Sequence, residues 1–304
     1  MTNRPSSVTC VILHGSQIPS GRELLVETLE SVMKMTYPDF TVVVVDNGSL
    51  DDSREVVKTR FPGVTLIENG RNLGFGGGNN VGISHALGRG AGWVFLLNDD
   101  VKVDPGLLGE LMAAAAGDEK AGMLSPKIYF YSQPTKFWYA GGRVNYFTGI
   151  VSHRGLRQED RGQYDRVEDT EYITGCAMLM RRELLETVGM FDPEYFPIYS
   201  EDADLSARSL RAGWRLLYVP GARMWHKVSA SSGGGMSPFK TQLKVEHNFI
   251  FFRRYARWYH WLTIPWCIAG ASALFLLQEL LKGNFKVIIA LIRGFARAIG
   301  RIFS

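Results

Sequence analysis

Four short apolar runs separated by helix-like segments constrain the architecture of this chain more than any other feature. The runs are residues 8–13, 41–45, 64–67 and 93–97. They read as strands, and the β-branched run 41–45 as one of the buried type. Between them, residues 22–35 carry Leu24, Leu25, Leu29 and Val32 at helical spacing. Residues 52–60 read as a helix stopped by Phe61-Pro62-Gly63, and residues 76–87 as a helix opened by glycines. Strands that alternate with helices imply a mostly parallel sheet with helices on both faces, because parallel neighbours need a crossover. With 46% hydrophobic residues, a chain of 304 can fill one large domain or two smaller ones.

The pattern loosens after Gly122. Residues 127–172 are rich in Tyr, Phe, Gly and charge without a period, and are expected to form short strands and a long loop over the site. Residues 172–180 are apolar again, 182–188 suit a short helix, 202–212 suit a helix with Gly213 at its stop, and 215–219 suit a strand.

The C-terminal part differs. Residues 262–277 carry no charge, but about sixteen helical residues rise only about 24 Å, short of a hydrocarbon core of about 30 Å. Arg253, Arg254 and Arg257 precede this run and Lys282 and Lys286 follow it. Trp258, Tyr259, Trp261 and Trp266 suit a membrane interface. Residues 285–303 set Lys286, Arg293, Arg297 and Arg301 among Ile, Leu, Phe and Ala, the pattern of a basic amphipathic helix on an anionic membrane surface. The competing reading is a helical hairpin packed on the main domain or in a homodimer interface. The expected division is residues 1–235 for the main domain and 236–304 for a helical, membrane-associating tail.

A net charge of +4 is too small to imply a nucleic-acid partner. Cys10, Cys176 and Cys267 form neither a zinc pattern nor a disulfide framework, and Met1-Thr2-Asn3-Arg4-Pro5 is not the start of a signal peptide. A cytoplasmic protein, peripheral or monotopic on the membrane's cytoplasmic face, is expected.

Chemistry concentrates at the ends of the apolar runs, where α/β sheets bind ligands. Asp46 follows four valines and can accept hydrogen bonds from a ligand or cap a turn. Asn72-Leu73-Gly74-Phe75-Gly76-Gly77-Gly78-Asn79-Asn80 is glycine-rich ahead of a helix, which lets backbone N–H groups approach phosphate. It fits neither the dinucleotide frame nor a P-loop. Asn98-Asp99-Asp100 offers hard oxygen ligands for Mg²⁺ or Mn²⁺, against the alternative of a solvated turn. Glu201-Asp202-Ala203-Asp204 opens a helix, where a carboxylate serves as a proton acceptor or merely caps. Asp204 either faces solvent or pairs with Arg208. His226 is a metal ligand or a structural histidine.

The order of these segments, with Thr174-Gly175-Cys176 and Trp225-His226, resembles the family 2 glycosyltransferases, and most closely their rhamnosyltransferase-like branch. The glycine-rich segment and the block Phe191-Asp192-Pro193 through Tyr199-Ser200-Glu201-Asp202-Ala203-Asp204-Leu205 carry the likeness, which covers about residues 8–230. The resemblance implies an α/β GT-A fold and a nucleotide-sugar donor of the dTDP-rhamnose or UDP-hexose type. It also implies single inverting transfer to a hydroxyl of a glycan or polyprenyl-linked acceptor. Asp46, Asn72, Gly76, Asn79, Asn98, Asp99 and Gly175 would bind the donor. Asp100 and His226 would hold Mg²⁺ or Mn²⁺, and Asp202 with Glu201 would be catalytic. Asn98 stands where the motif usually has Asp, and His14-Gly15-Ser16-Gln17-Ile18-Pro19 departs from the usual end of the first strand. Two rival readings are an inactive nucleotide-sugar-binding scaffold and, less favoured, a nucleotidyltransferase.

Overall fold

The computed structural model describes residues 7–15, 21–228 and 237–300. The first apolar runs become β1 (Val8–His14), β2 (Phe40–Asp46), β3 (Thr65–Glu68) and β4 (Trp93–Asn98), joined by α1 (Gly21–Val32), α2 (Ser53–Arg60) and α3 (Gly74–Gly88). All four strands are mutually parallel, in the spatial order β3-β2-β1-β4. The chain thus moves outward from β1 and then returns to its other side, which creates a crevice at the strand ends. Register brings His14 opposite Asp46 and Leu13 opposite Asn98, so these chemistry-bearing residues share one rim.

Beyond β4 the sheet is mixed rather than mostly parallel. The further elements are β5 (Val101–Val103), α4 (Leu107–Ala116), β6 (Ala121–Phe130), β7 (Gln133–Tyr139), β8 (Gly142–Asn145), β9 (Ile150–His153), β10 (Glu168–Asp169) and β11 (Ala177–Arg181). They are followed by α5 (Arg182–Val188), α6 (Glu201–Arg211) and β12 (Arg215–His226). β11 runs antiparallel to both β4 and β6, and β12 runs parallel to β6. The segment expected as short strands and a long loop is therefore largely hairpins. Its 155–167 stretch is tethered by Lys127, a buried lysine within 2.8 Å of Asp160 and 2.5 Å of Asp165.

The glycine-rich segment is not a loop, since α3 begins at Gly74 and Gly76 and Asn79 lie inside it. Its glycines let the helix press on the sheet. A Cβ on Gly82 would collide with Val11 Cγ1 and stand 3.1 Å from Val45 Cγ2, and one on Gly78 would collide with Leu13 Cδ1. This is close helix–strand packing, which only glycine allows.

Three helices end the chain: α7 (Pro238–Tyr255), α8 (Ile264–Leu281) and α9 (Phe285–Gly300). Ser237 caps α7 by accepting the Lys240 N–H at 3.2 Å. Ile250, Phe251, Phe252 and Tyr255 of α7 share a core cluster with Tyr172, Tyr195 and Ala203. α9 does not lie free. Val287, Ala290, Leu291 and Ala298 are buried, and Gly294 sits so close to α7 that a Cβ would be 3.0 Å from Gln242 O. Its opposite face exposes Lys286, Ile289, Ile292 and Arg293. One face of α9 is thus packed on α7, and the other is exposed. α8 is, among the described residues, the one helix long and apolar enough to cross a membrane. It has 18 residues at a mean hydropathy of 1.6, and only 11% of it is buried. The expected division at 235/236 and Arg301 fall outside the described residues.

Candidate functional site

A cavity of about 870 Å³ opens at the strand-end rim. Of the residues singled out from the sequence, Asn98, Gly175, Glu201, Asp202 and His226 line it. Asp46, Asn72, Gly76, Asn79, Asp99 and Asp100 do not line it.

Asp202 is held by three donors. Oδ2 accepts the Tyr172 hydroxyl at 2.8 Å and the Gly175 N–H at 2.9 Å, and Oδ1 accepts the Ala203 N–H at 2.8 Å. Gly175 is confined by its surroundings, since a Cβ there would lie 2.9 Å from the Phe75 ring. Burial lifts the Asp202 pKa above the ordinary carboxylate value, while these donors pull the other way. Glu201 is 3% exposed, and its Oε2 has no hydrogen-bond partner among the described residues. Burial, and then the charge of Asp202, push its pKa far up. Burial thus raises both neighbours, Glu201 further because the charge of Asp202 adds to it, while the donors on both Asp202 oxygens favour the ionised form of Asp202.

The turn before this pair is strained. Tyr199 and Ser200 both adopt left-handed backbone, at φ 88° and 69°. His247 of α7 binds the carbonyls of Ile198 and Tyr199 through Nδ1, at 2.9 and 3.2 Å. Asp204 does not face solvent. It is fully buried, and it accepts from Arg208 Nε at 2.8 Å, Arg254 at 2.9 Å and the Tyr255 hydroxyl at 2.6 Å. α7 is thereby fastened to the helix that presents Asp202.

Across the cavity, His226 ends β12 with Nε2 3.1 Å from Asp100 Oδ1. Burial disfavours its imidazolium, but Cys176 and Asp100 outweigh that and raise its pKa to about 10. Asp100 and His226 suit a divalent cation that displaces the ring proton of His226, with phosphate oxygens and water in its other positions. Among the described residues, no group of three or more His, Cys, Asp or Glu forms a closed metal cage.

Asn98-Asp99-Asp100 is not a solvated turn, because Asp99 and Asp100 are buried. Asp99 Oδ2 is bound by His14 Nδ1 at 2.6 Å, and His14 Nε2 meets Ser53 Oγ at 2.9 Å. Asp99 thus serves the rim from within, with its pKa raised by burial against the pull of His14. Asp46 Oδ1 accepts the Ser49 N–H at 3.2 Å, the turn-capping role, while the buried Oδ2 has no partner among the described residues. Asn72 Oδ1 accepts the Gly74 N–H at 2.8 Å, and Asn79 Nδ2 donates to Phe75 O at 3.0 Å. Both amides thus shape the segment beside the cavity.

Several residues here have no signal in the sequence. Tyr172 gives its hydroxyl to Asp202 and stacks on His153, which packs edge-on to Trp138; Trp138 in turn packs edge-on to His226. These rings form a wall from one acidic cluster to the other. Burial lowers the His153 pKa to about 4, so its ring is neutral.

Residues 18–189 match the family model described as glycosyl transferase family 2. The chain is 31% identical over 274 residues to the N-acetylglucosaminyl-diphospho-decaprenol L-rhamnosyltransferase of Mycobacterium tuberculosis, covering 81% of this chain and 85% of that one. It is 29% identical over 198 residues, 63% of each chain, to the galactofuranosyltransferase GlfT1 of Mycolicibacterium smegmatis. The mannosyltransferase PcManGT from Pyrobaculum calidifontis, solved with GDP-Man and Mn²⁺, shares the fold. Its TM-score is 0.62 at 18% identity, over 98% of this chain and 88% of that one.

Proposed function

The chain belongs to glycosyl transferase family 2, and from that premise we propose that it moves one sugar, with inversion, from a pyrimidine nucleoside diphosphate donor to a hydroxyl of a lipid-linked glycan. The supporting observation is Asp202, a half-buried carboxylate of raised pKa that lines the same cavity as His226, the partner of Asp100. The acceptor oxygen bonds to the anomeric carbon, the bond from that carbon to the diphosphate oxygen breaks, and the acceptor proton passes to Asp202. Tyr172 and the Gly175 N–H orient the carboxylate. Asp100 and His226 would hold Mg²⁺ or Mn²⁺, which neutralises charge on the departing diphosphate. The unsatisfied Asp46 Oδ2 would accept the N3–H that uracil and thymine share, and Asn98 would meet the ribose.

The acceptor class is supported by the mycobacterial relative, an N-acetylglucosaminyl-diphospho-decaprenol L-rhamnosyltransferase. The exposed apolar face of α8, with Trp266 78% and Leu281 80% exposed, supports docking on a membrane where such acceptors reside.

The test is a thermal-shift panel of dTDP-, UDP-, GDP- and CMP-sugars, each with Mn²⁺ and with EDTA. A donor at a hundred times its Kd adds about 2.7 kcal/mol to stability. A metal-dependent rise with a pyrimidine diphosphate sugar is expected, and no rise with any donor would overturn the proposal.

A further inference from the structure

The cavity that holds Asp202 does not end at the sheet. Its far wall comes from α7, α8 and α9. On α8, Ile268, Ser272 and Phe275 recur at helical spacing and line the cavity, whereas Trp266, Leu274 and Leu281 are outside it and exposed. Leu291 and Phe295 of α9 extend the same surface. The helix is uncharged from Ile264 to Gln278, yet it has one stripe committed to the site and another left to the surroundings.

Within this wall, Lys244 is the one charged side chain that α7–α9 contribute among the described residues. Its ammonium lies 5.2 Å from the centre of the Tyr199 ring, on the strained turn before Glu201. Burial, and then the charge of Lys240, lower its pKa. The facing β8–β9 hairpin is clasped to the helices. Asn248 Nδ2 donates to Gly149 O at 3.0 Å, the Thr263 hydroxyl donates to Phe147 O at 2.7 Å, and Ile264 and Ile268 pack on Gly149.

We propose that this wall is the binding site for the acceptor's lipid: an isoprenoid chain lies along Ile268, Ser272, Phe275 and Phe295, with its phosphate at Lys244 and its sugar hydroxyl toward Asp202. The proposal rests on the transferase reading and adds a site to it. Three observations select this occupant. The wall is continuous with the cavity containing the base. Its one cation complements phosphate, whereas a neutral lipid tail would need none. Its apolar lining fits a hydrocarbon that must leave the membrane only partly to reach the site.

The test measures binding of farnesyl diphosphate, farnesol and inorganic diphosphate to the full chain, with the metal-dependent donor shift recorded in parallel. Farnesyl diphosphate is expected to bind at least about tenfold tighter than either fragment, since chain and phosphate are read together. Ser272→Trp, which fills the stripe, should weaken farnesyl diphosphate by about tenfold or more and leave the donor shift intact. Lys244→Ala should remove the preference for farnesyl diphosphate over farnesol. Unchanged farnesyl diphosphate binding in both variants, with the donor shift intact, would overturn the lipid site and spare the transferase reading. Full displacement of farnesyl diphosphate by phosphatidylglycerol vesicles would overturn it too, identifying a membrane acyl chain as the occupant. Loss of the donor shift in the unaltered protein would instead overturn the transferase reading itself.

Discussion

Replacing Asp202 by Asn separates the chemistry of the proposed base from its structural cost. The carboxylate accepts two backbone N–H groups on different oxygens, from Gly175 on Oδ2 and Ala203 on Oδ1. Asparagine has one oxygen. Whichever way its amide turns, an NH₂ faces one of those donors, and one backbone N–H loses its acceptor. Leaving one buried donor unsatisfied costs about 1–3 kcal/mol. At about 2–4 °C per kcal/mol for a chain of this size, the melting temperature should fall by about 2–12 °C. Loss of general-base catalysis typically costs a factor of about 10² to 10⁴. At about 1.36 kcal/mol per decade, that is about 2.7–5.4 kcal/mol of barrier. The two effects are read apart by measuring kcat at saturating donor, the melting temperature, and donor binding with Mn²⁺. The expected variant is folded, binds donor and transfers at least about a hundredfold more slowly. A folded Asp202→Asn enzyme with kcat within about threefold of the unaltered protein would refute the reasoning, because a true base is worth far more.

Other expectations follow from the same geometry. Because burial raises the Asp202 pKa, kcat/KM should fall on acidification at a pH above the ordinary carboxylate range. Tyr172→Phe removes a donor to the ionised form, so that acidic limb should move to still higher pH; an unmoved limb would exclude Tyr172 as a positioning residue. Glu201 has the same sign. Its raised folded pKa adds stability that is fully present below the usual glutamate value and is lost as pH rises through the folded value, which chemical denaturation across pH would detect. Gly82→Ala gains about 1 kcal/mol of helix propensity but meets Val11 and Val45, and overpacking at the upper end of about 3 kcal/mol leaves a net loss of about 2. Gly88→Ala, which has open space around it, should be neutral or slightly stabilising, and equal denaturation midpoints for the two would contradict the packing role of α3. Asp204→Ala strips the carboxylate from two guanidiniums that remain partly solvated. The low end of the buried-pair penalty applies, about 3 kcal/mol, seen as a melting point lower by about 6–12 °C.

Much of the site was legible because its motifs end strands. A run such as Val42-Val43-Val44-Val45 can only be buried, so the Asp46 that follows must stand at a sheet rim. The same logic located Asn98, Asp99 and Asp100. The pairing of Asp204 with Arg208 followed from helical spacing, although its burial did not. Asn72, Gly76 and Asn79 illustrate the limit. Their composition suits phosphate binding, yet two of those side chains are spent on local hydrogen bonds, and the glycines downstream at 78 and 82 serve close packing.

The sequence by itself determined the alternating α/β plan, the membership in a family of transferases, and the acidic residues at the rim. Those depend on periodicity and motif order, which act over a few residues. Only the tertiary structure decided which groups meet. His14 reaches Asp99 across 85 positions, Tyr172 reaches Asp202 across 30, and His247 steadies Tyr199 from a helix that reads in sequence as part of a separate tail. The antiparallel entry of β11 and the single inward stripe of α8 are of the same kind. Each depends on strand register or on which helix face finds a partner, and neither is encoded in the residues adjacent in the chain.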